Sequence, residues 1–298
     1  MLKRMVYLCC IGLWLLTFNA CDIPYISEED DESSLEDTVP LLLLSSVITN
    51  SSTSSSTCPL NAPPSGVALA DTVISAPGHT GSGFKNSSLA INGVCGGGLT
   101  TGSLDVYEMS ATGSDATMVL EWATVRITNG SGTDFIVFEN AFYVNSNPNQ
   151  RFMEPVIVEV YDDTSGRWCG FNGVDYNPGG GETVYSNNPA HWVNFAGVTP
   201  VQYNQTSNAL SAAAIFDPNQ GGGDGFDLSN LSGSAQFSND CNNTARTNIQ
   251  TNGFYRLRLR AASNVENPDA AGNNFPRDSG AFGGPDIDGI IGRYTTAR

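Results

Sequence analysis

Ten side chains whose oxygens could hold a metal ion or cap a turn stand at strand ends or in glycine-rich loops. They are Asp134, Glu139, Asn140, Glu154, Asp162, Asp163, Asp224, Asp227, Asp286 and Asp288. Glu139 poses the sharpest question, because it sits in GTDFIVFENAFY (132–143), where Phe135 to Phe138 run apolar without alternation. A carboxylate in a strand with no wet face needs compensation, since desolvating an unpaired charge costs several kcal/mol or more. Calcium is one answer: it takes six to eight oxygens, often from loops that glycine lets fold tightly. GGGDGFDL supplies Asp224 and Asp227, and PDIDGI places Asp286 and Asp288 on one face of a strand. With Asp134, Glu139 and Asn140 these form the candidate metal ligands. A bidentate arginine is the second answer, with Arg126, Arg151, Arg256, Arg258 and Arg260 available. Third, Glu139 and Glu154 could form the acid and base of a glycan hydrolase. Against all three stands the plainer reading that such acids cap turns through local hydrogen bonds.

Other catalytic arrangements are poorly supported. No GxSxG is present, the two histidines are His79 in a loop and His191 beside Trp192, and GGGLTTGS (96–103) lacks a phosphate-loop lysine. The expectation is a protein that is not an enzyme.

The elements that would position these acids are strands. ATMVLEWATVRIT (116–128), DFIVFENAFYV (134–144), EPVIVEVYD (154–162), HWVNFAG (191–197) and FYRLRLRAA (254–262) are the candidates. In the last, Tyr255, Leu257 and Leu259 alternate with three arginines, the period of a half-exposed strand. Clusters such as ITNGSGTD and YNPGGGE between them carry turn chemistry. One short helix is expected at SNALSAAAIF (207–216). Many short strands with glycine-rich loops predict an all-β fold, a jelly-roll-like β-sandwich. Tyr143, Trp168, Tyr176, Tyr185 and Trp192 could present a surface for an extracellular protein or glycan, although Trp168 and Trp192 equally suit a core.

The N-terminus addresses location. Lys3 and Arg4 precede an apolar run from Met5 to Phe18, followed by Asn19, Ala20 and Cys21. This reads as a secretory signal peptide over residues 1–20, too short to span a membrane comfortably. LLTFNAC resembles a lipobox, with Phe18 where Leu is usual, and makes Cys21 the expected lipidation site. Residues 21–57 then hold eight acids between 22 and 37 with no base, the run LLLL (41–44), and TNSSTSSST (49–57). Such compositions cannot bury enough apolar area to order themselves, so a disordered tether is expected. The folded domain is expected over 58–298. Its 22 acids against 11 bases exclude attraction by charge to nucleic acid or anionic headgroups and leave divalent cations as natural counterions. Four cysteines remain in it, Cys58, Cys95, Cys169 and Cys241, an even number in an exported chain, and predict two disulfides of undetermined pairing.

Taken in order, NGSGTDFIVFENAF, EPVIVEVYDD with RWCGF, FAGVTPV, GGGDGFDLSNL and PDIDGI resemble a family of bacterial cell-surface proteins. That family carries a DFxVFEN strand, an EPxxVEVSxDGxxW segment, AGxxPV, GGDxFDL and a closing GFDLDxI. The resemblance runs from about Val73 to Ile291. It departs at Thr164–Ser165, where the family has a tight SxDG turn, and at PDIDGI. The lipobox, acidic spacer and leucine run are similar to those of Leptospira-type, spirochaetal surface lipoproteins. The resemblance implies a fold and a location at the outer membrane or cell surface more than any chemistry. The expectation is a lipid-anchored, calcium-stabilised binding or adhesion module, with a glycan hydrolase using Glu139 and Glu154, or a structural surface protein without a small ligand, as the alternatives.

Overall fold

The computed structural model describes residues 58–59, 61–81, 83–179, 184–232, 241–262, 275–276 and 284–298. The signal peptide, Cys21, the acidic tether and the leucine run lie outside the described residues.

The architecture is all-β, built on two antiparallel five-stranded sheets. In the first, Phe135–Glu139 is central, flanked by Asp286–Gly292 and Asp224–Phe226; Ala68–Leu69 and Tyr107–Glu108 pair with Asp286–Gly292. The second sheet runs Arg167–Gly170, Val156–Asp162, Arg256–Ala261, Thr117–Glu121, Thr72–Ser75. One core lies between the sheets. Phe135, Val137, Ile287 and Ile290 meet Met118, Leu120, Val158, Val160, Leu257 and Leu259, all buried. Phe135 stacks on Phe226 with ring centroids 5.3 Å apart and meets Phe254 edge-on at 5.2 Å. Burying each such ring stabilises the fold by roughly 1.5–3 kcal/mol.

The apolar run of Phe135–Glu139 is explained by a second core on the outer face of its sheet. There Ile136, Phe138 and Ile291 pack against Val94, Val201, Tyr203 and Ile215. Every residue of the strand is buried, so alternation has no solvent side to report. By contrast, Arg256–Ala261 alternates as expected, its leucines inward and its arginines half-exposed.

Several expected elements are redrawn. ATMVLEWATVRIT divides into Thr117–Glu121 and Val125–Ile127, and the latter pairs with Thr295–Ala297 outside the main sheets. DFIVFENAFYV breaks after Glu139, and Phe142–Val144 turns away to pair with Asn147–Phe152. Only Ala212–Ile215 of the expected helix is helical, while an unexpected helix covers Asn243–Asn252. That helix is capped by Asn242, whose side chain accepts from the Ala245 N–H at 2.8 Å, and it ends at Gly253. The two disulfides pair Cys58 with Cys95 and Cys169 with Cys241; the second ties the strand Arg167–Gly170 to the residue preceding this helix's cap.

Candidate functional site

Strand alternation places Glu139 on the face of Phe135 and Val137, at the end of the strand where the core runs out. The residue is 1% exposed. Oε1 accepts one hydrogen bond, from the backbone N–H of Asp286 at 3.2 Å, and Oε2 is buried with no hydrogen-bond partner. Burial first, then the charges of Glu154, Asp286 and Asp224, hold its pKa well above the usual carboxylate range. Glu139 therefore faces other acids.

The arginines expected as alternatives are committed elsewhere. Arg126 forms a two-pronged pair with Asp163, Arg256 bonds Glu121 at 2.9 Å, and Arg258 and Arg260 lie 2.6 and 3.7 Å from Glu159. Arg151 donates to the carbonyls of Pro148 and Val198. No described arginine pairs with Glu139, which overturns that reading among the described residues. The reason is register. Arg256, Arg258 and Arg260 project from the other sheet, opposite Glu121 and Glu159 on its strands.

Three of the seven candidate metal ligands come together here: Glu139, Asp286 and Asp224, joined by Glu154. Asp286 stands opposite Glu108 across paired strands, and its Oδ1 is buried without a hydrogen-bond partner. Desolvation raises its pKa to about 6 despite the Asn140 amide. Asp224, raised to about 6 chiefly by desolvation, accepts from the N–H groups of Val198 and Thr199 at 3.0 and 3.3 Å. Asn140 adjoins the cluster and closes the neighbouring loop by exchanging hydrogen bonds with the backbone of Ser103.

Glycine makes the close approach possible. Gly197 has φ +82°, and a Cβ there would lie 2.7 Å from the Glu154 carbonyl oxygen and 3.0 Å from Glu139 Oε2. The FAGV segment thus lets a backbone oxygen and the orphaned carboxylate oxygen line one small space.

The remaining candidates hold backbone N–H groups, some in their own turn and some from distant segments. Asp134, fully buried, accepts from Gly130 N and Leu228 N, each at 2.7 Å. Asp227 caps the turn at Leu228–Asn230 through Ser229 N at 2.8 Å. Asp288 takes the Cys95 N–H at 2.9 Å, far from enough to offset burial, and its pKa stands well above normal. Asp162 accepts from Thr164 N, Ser165 N and the Asn248 amide. The aromatic surface is corrected in part: Trp192 and Tyr176 are core, 3% and 2% exposed, packed against each other.

Sequence reading missed Glu108. It lies 8% exposed between apolar neighbours in the stretch VYEM, a signal of the same kind as FIVFEN. Burial and then the charge of Asp286 push it up to about 7. Glu108, Glu154 and Asp286 line a cavity of about 370 Å³ walled by Phe84, Phe142 and Phe152. Asp224 lines a second, of about 550 Å³, with Val198 and Phe226. Glu139 lines neither.

A cation placed against Glu139 Oε2 would meet the Glu154 carbonyl oxygen near the same space, and oxygen ligands suit calcium. Among the described residues, the one trio of His, Cys, Asp or Glu with ligand atoms mutually within 4.8 Å is Cys58, Cys95 and Asp105, whose sulfurs are bonded to each other. The carboxylates of the acid cluster are thus not gathered three at a time within that distance.

Fold and site define a disulfide-linked, all-β domain with a buried acidic cluster opening onto an aromatic-walled cavity. Comparison of the chain with protein-family models, curated proteins and solved structures yields no match.

Proposed function

We propose that the chain is a surface lipoprotein, anchored through Cys21, whose folded domain is a calcium-stabilised binding or adhesion module. The observation that carries the calcium reading is Glu139 Oε2, buried without a donor and facing Glu154, Asp286 and Asp224. A buried carboxylate in this setting is either protonated or matched by a cation, and no described arginine supplies one. The paired-acid hydrolase is less well supported, since a glycosidase needs both carboxyls on the substrate and Glu139 lines neither of the two cavities that Glu154 and Asp224 line. The anchor and surface location rest on the N-terminal signal, lipobox and tether composition.

Calorimetric titration of calcium into chelator-treated full-length chain in detergent tests the site. One ion per chain is expected, with binding lost in Glu139→Gln. An absence of binding heat together with a chelator-insensitive melting temperature would sink it. Incorporation of labelled fatty acid, abolished by Cys21→Ser, tests the anchor, and protease shaving of whole cells tests exposure.

A further inference from the structure

The cavity beside the acid cluster has features that calcium does not explain. Glu108 is 8% exposed, lines the cavity and accepts no hydrogen bond among the described residues. Directly opposite it in the strand pairing stands Asp286, whose Oδ1 also lacks a hydrogen-bond partner. Like charges opposed across strands are destabilising, so this pair calls for a positive group between or beside its members.

The walls say what kind of positive group fits. Phe142 and Phe152 stack with centroids 5.1 Å apart and planes 19° from parallel, and Phe84 lines the same cavity. Leu104 stands at the rim, 82% exposed. A hydrated metal ion would lay its water shell against three rings that offer no oxygen. An alkylammonium instead places methylenes on the rings, adds attraction between cation and ring face, and brings three N–H donors with no acceptor. Those donors match the groups left open, the Glu108 carboxylate and Asp286 Oδ1. A quaternary ammonium would fill the space but leave both acceptors without a donor.

We propose that this cavity binds a primary alkylammonium group, its charge on Glu108 and Asp286 and its chain along Phe142 and Phe152. The group is either a free amine or a lysine side chain of a partner, which share this chemistry. The site shares Asp286 with the proposed calcium site and differs from it in its key residue, Glu108, which is what the variants below distinguish.

Titration of n-butylammonium, n-butanol and Nα-acetyl-lysine methylamide into the full-length chain in detergent, with chelator at pH 8, decides the matter. One butylammonium per chain is expected, with n-butanol at least tenfold weaker. Because that comparison uses the unaltered protein, misfolding of a variant cannot produce it. Glu108→Gln is expected to weaken butylammonium at least tenfold while leaving the calcium stoichiometry, measured separately, unchanged. Phe152→Ala should weaken it as well. Binding of the lysine derivative within threefold of butylammonium assigns the cavity to a lysine side chain, and its exclusion with butylammonium retained assigns it to a free amine. Equal affinity for the alcohol, failure of both amines to bind, or indifference to Glu108→Gln overturns the proposal. Loss of calcium binding in Glu139→Gln with amine binding intact would show the two sites to be distinct.

Discussion

If the acid cluster is matched by a cation, stability should respond to pH in opposite ways with and without calcium. Asp286 and Asp224 are pushed to about 6 and Glu108 to about 7, all above their ordinary values and chiefly by burial. The folded state therefore holds protons that the unfolded chain has already released between about pH 4 and pH 7. A raised carboxyl favours the folded state below its unfolded pKa, and that advantage is lost as pH rises through the folded pKa. A shift of about two units corresponds to about 3 kcal/mol for one group taken alone, at 1.36 kcal/mol per unit. The three groups repel one another, so their effects do not simply add. For a domain of this size, one such loss lowers the melting temperature by roughly 6–12 °C. Calcium at a hundred times its dissociation constant restores about 2.7 kcal/mol, a comparable amount, because it binds the ionised form. The assay is thermal melting from pH 4 to pH 8 in chelator and in millimolar calcium. A falling curve in chelator and a nearly level one in calcium are expected. Parallel curves would refute the cation reading, and a level curve in chelator would refute the buried neutral acids themselves.

Three further outcomes follow from the same geometry. Glu139→Gln at pH 8 in chelator should raise stability by about 1–3 kcal/mol, since it removes a charge that only other acids surround, and it should abolish the calcium-induced shift in melting. Asp134→Ala should cost about 3 kcal/mol in urea unfolding, because two buried N–H groups lose their acceptor, while the calcium titration stays unchanged. Replacing Cys169 and Cys241 together by alanine should cost about 4 kcal/mol, the loop-closure cost of a span of 72 residues, read from the denaturant midpoint.

Where local chemistry decides, the sequence was informative. The unbroken apolar run Phe135–Phe138 marked a strand covered on both faces, and the Arg/Leu alternation of 256–260 marked a half-exposed one. The even set of four cysteines implied two bridges, though their pairing needed the fold. Segments that change partner were not legible. ATMVLEWATVRIT keeps strand character throughout, yet Trp122 donates its indole N–H to the Ala68 carbonyl at 3.0 Å, and beyond it the chain leaves the sheet. The helix Asn243–Asn252 buries only Ala245 and Ile249, too few apolar residues to show a period of 3.6, and it is held by its caps and the adjacent disulfide. The site was half legible. Glu139 announced itself, but its neighbours come from segments 15 to 147 residues away and meet through strand register. Glu108 reaches Asp286 by the same route.

The acids of this domain divide by whether a backbone donor was arranged for them. Asp134, Asp162 and Asp227 each sit where a turn points N–H groups at the carboxylate, and there the charge closes a loop and asks for nothing more. Glu139, Glu108 and Asp286 arise from strands, whose N–H groups are committed to neighbouring strands, so a carboxylate projecting from them gains few donors. Among the described residues only the Asp286 N–H reaches Glu139, and no donor reaches Glu108 or Asp286 Oδ1. A mutation that merely needed a small polar residue at these positions could have been satisfied by serine or asparagine at far lower electrostatic cost. Among the described residues no basic side chain pairs with Glu139, Glu108 or Asp286, and the counter-charge we propose for them is a bound cation. The chelator and amine titrations separate its two forms, an ion at Glu139 and an ammonium at Glu108.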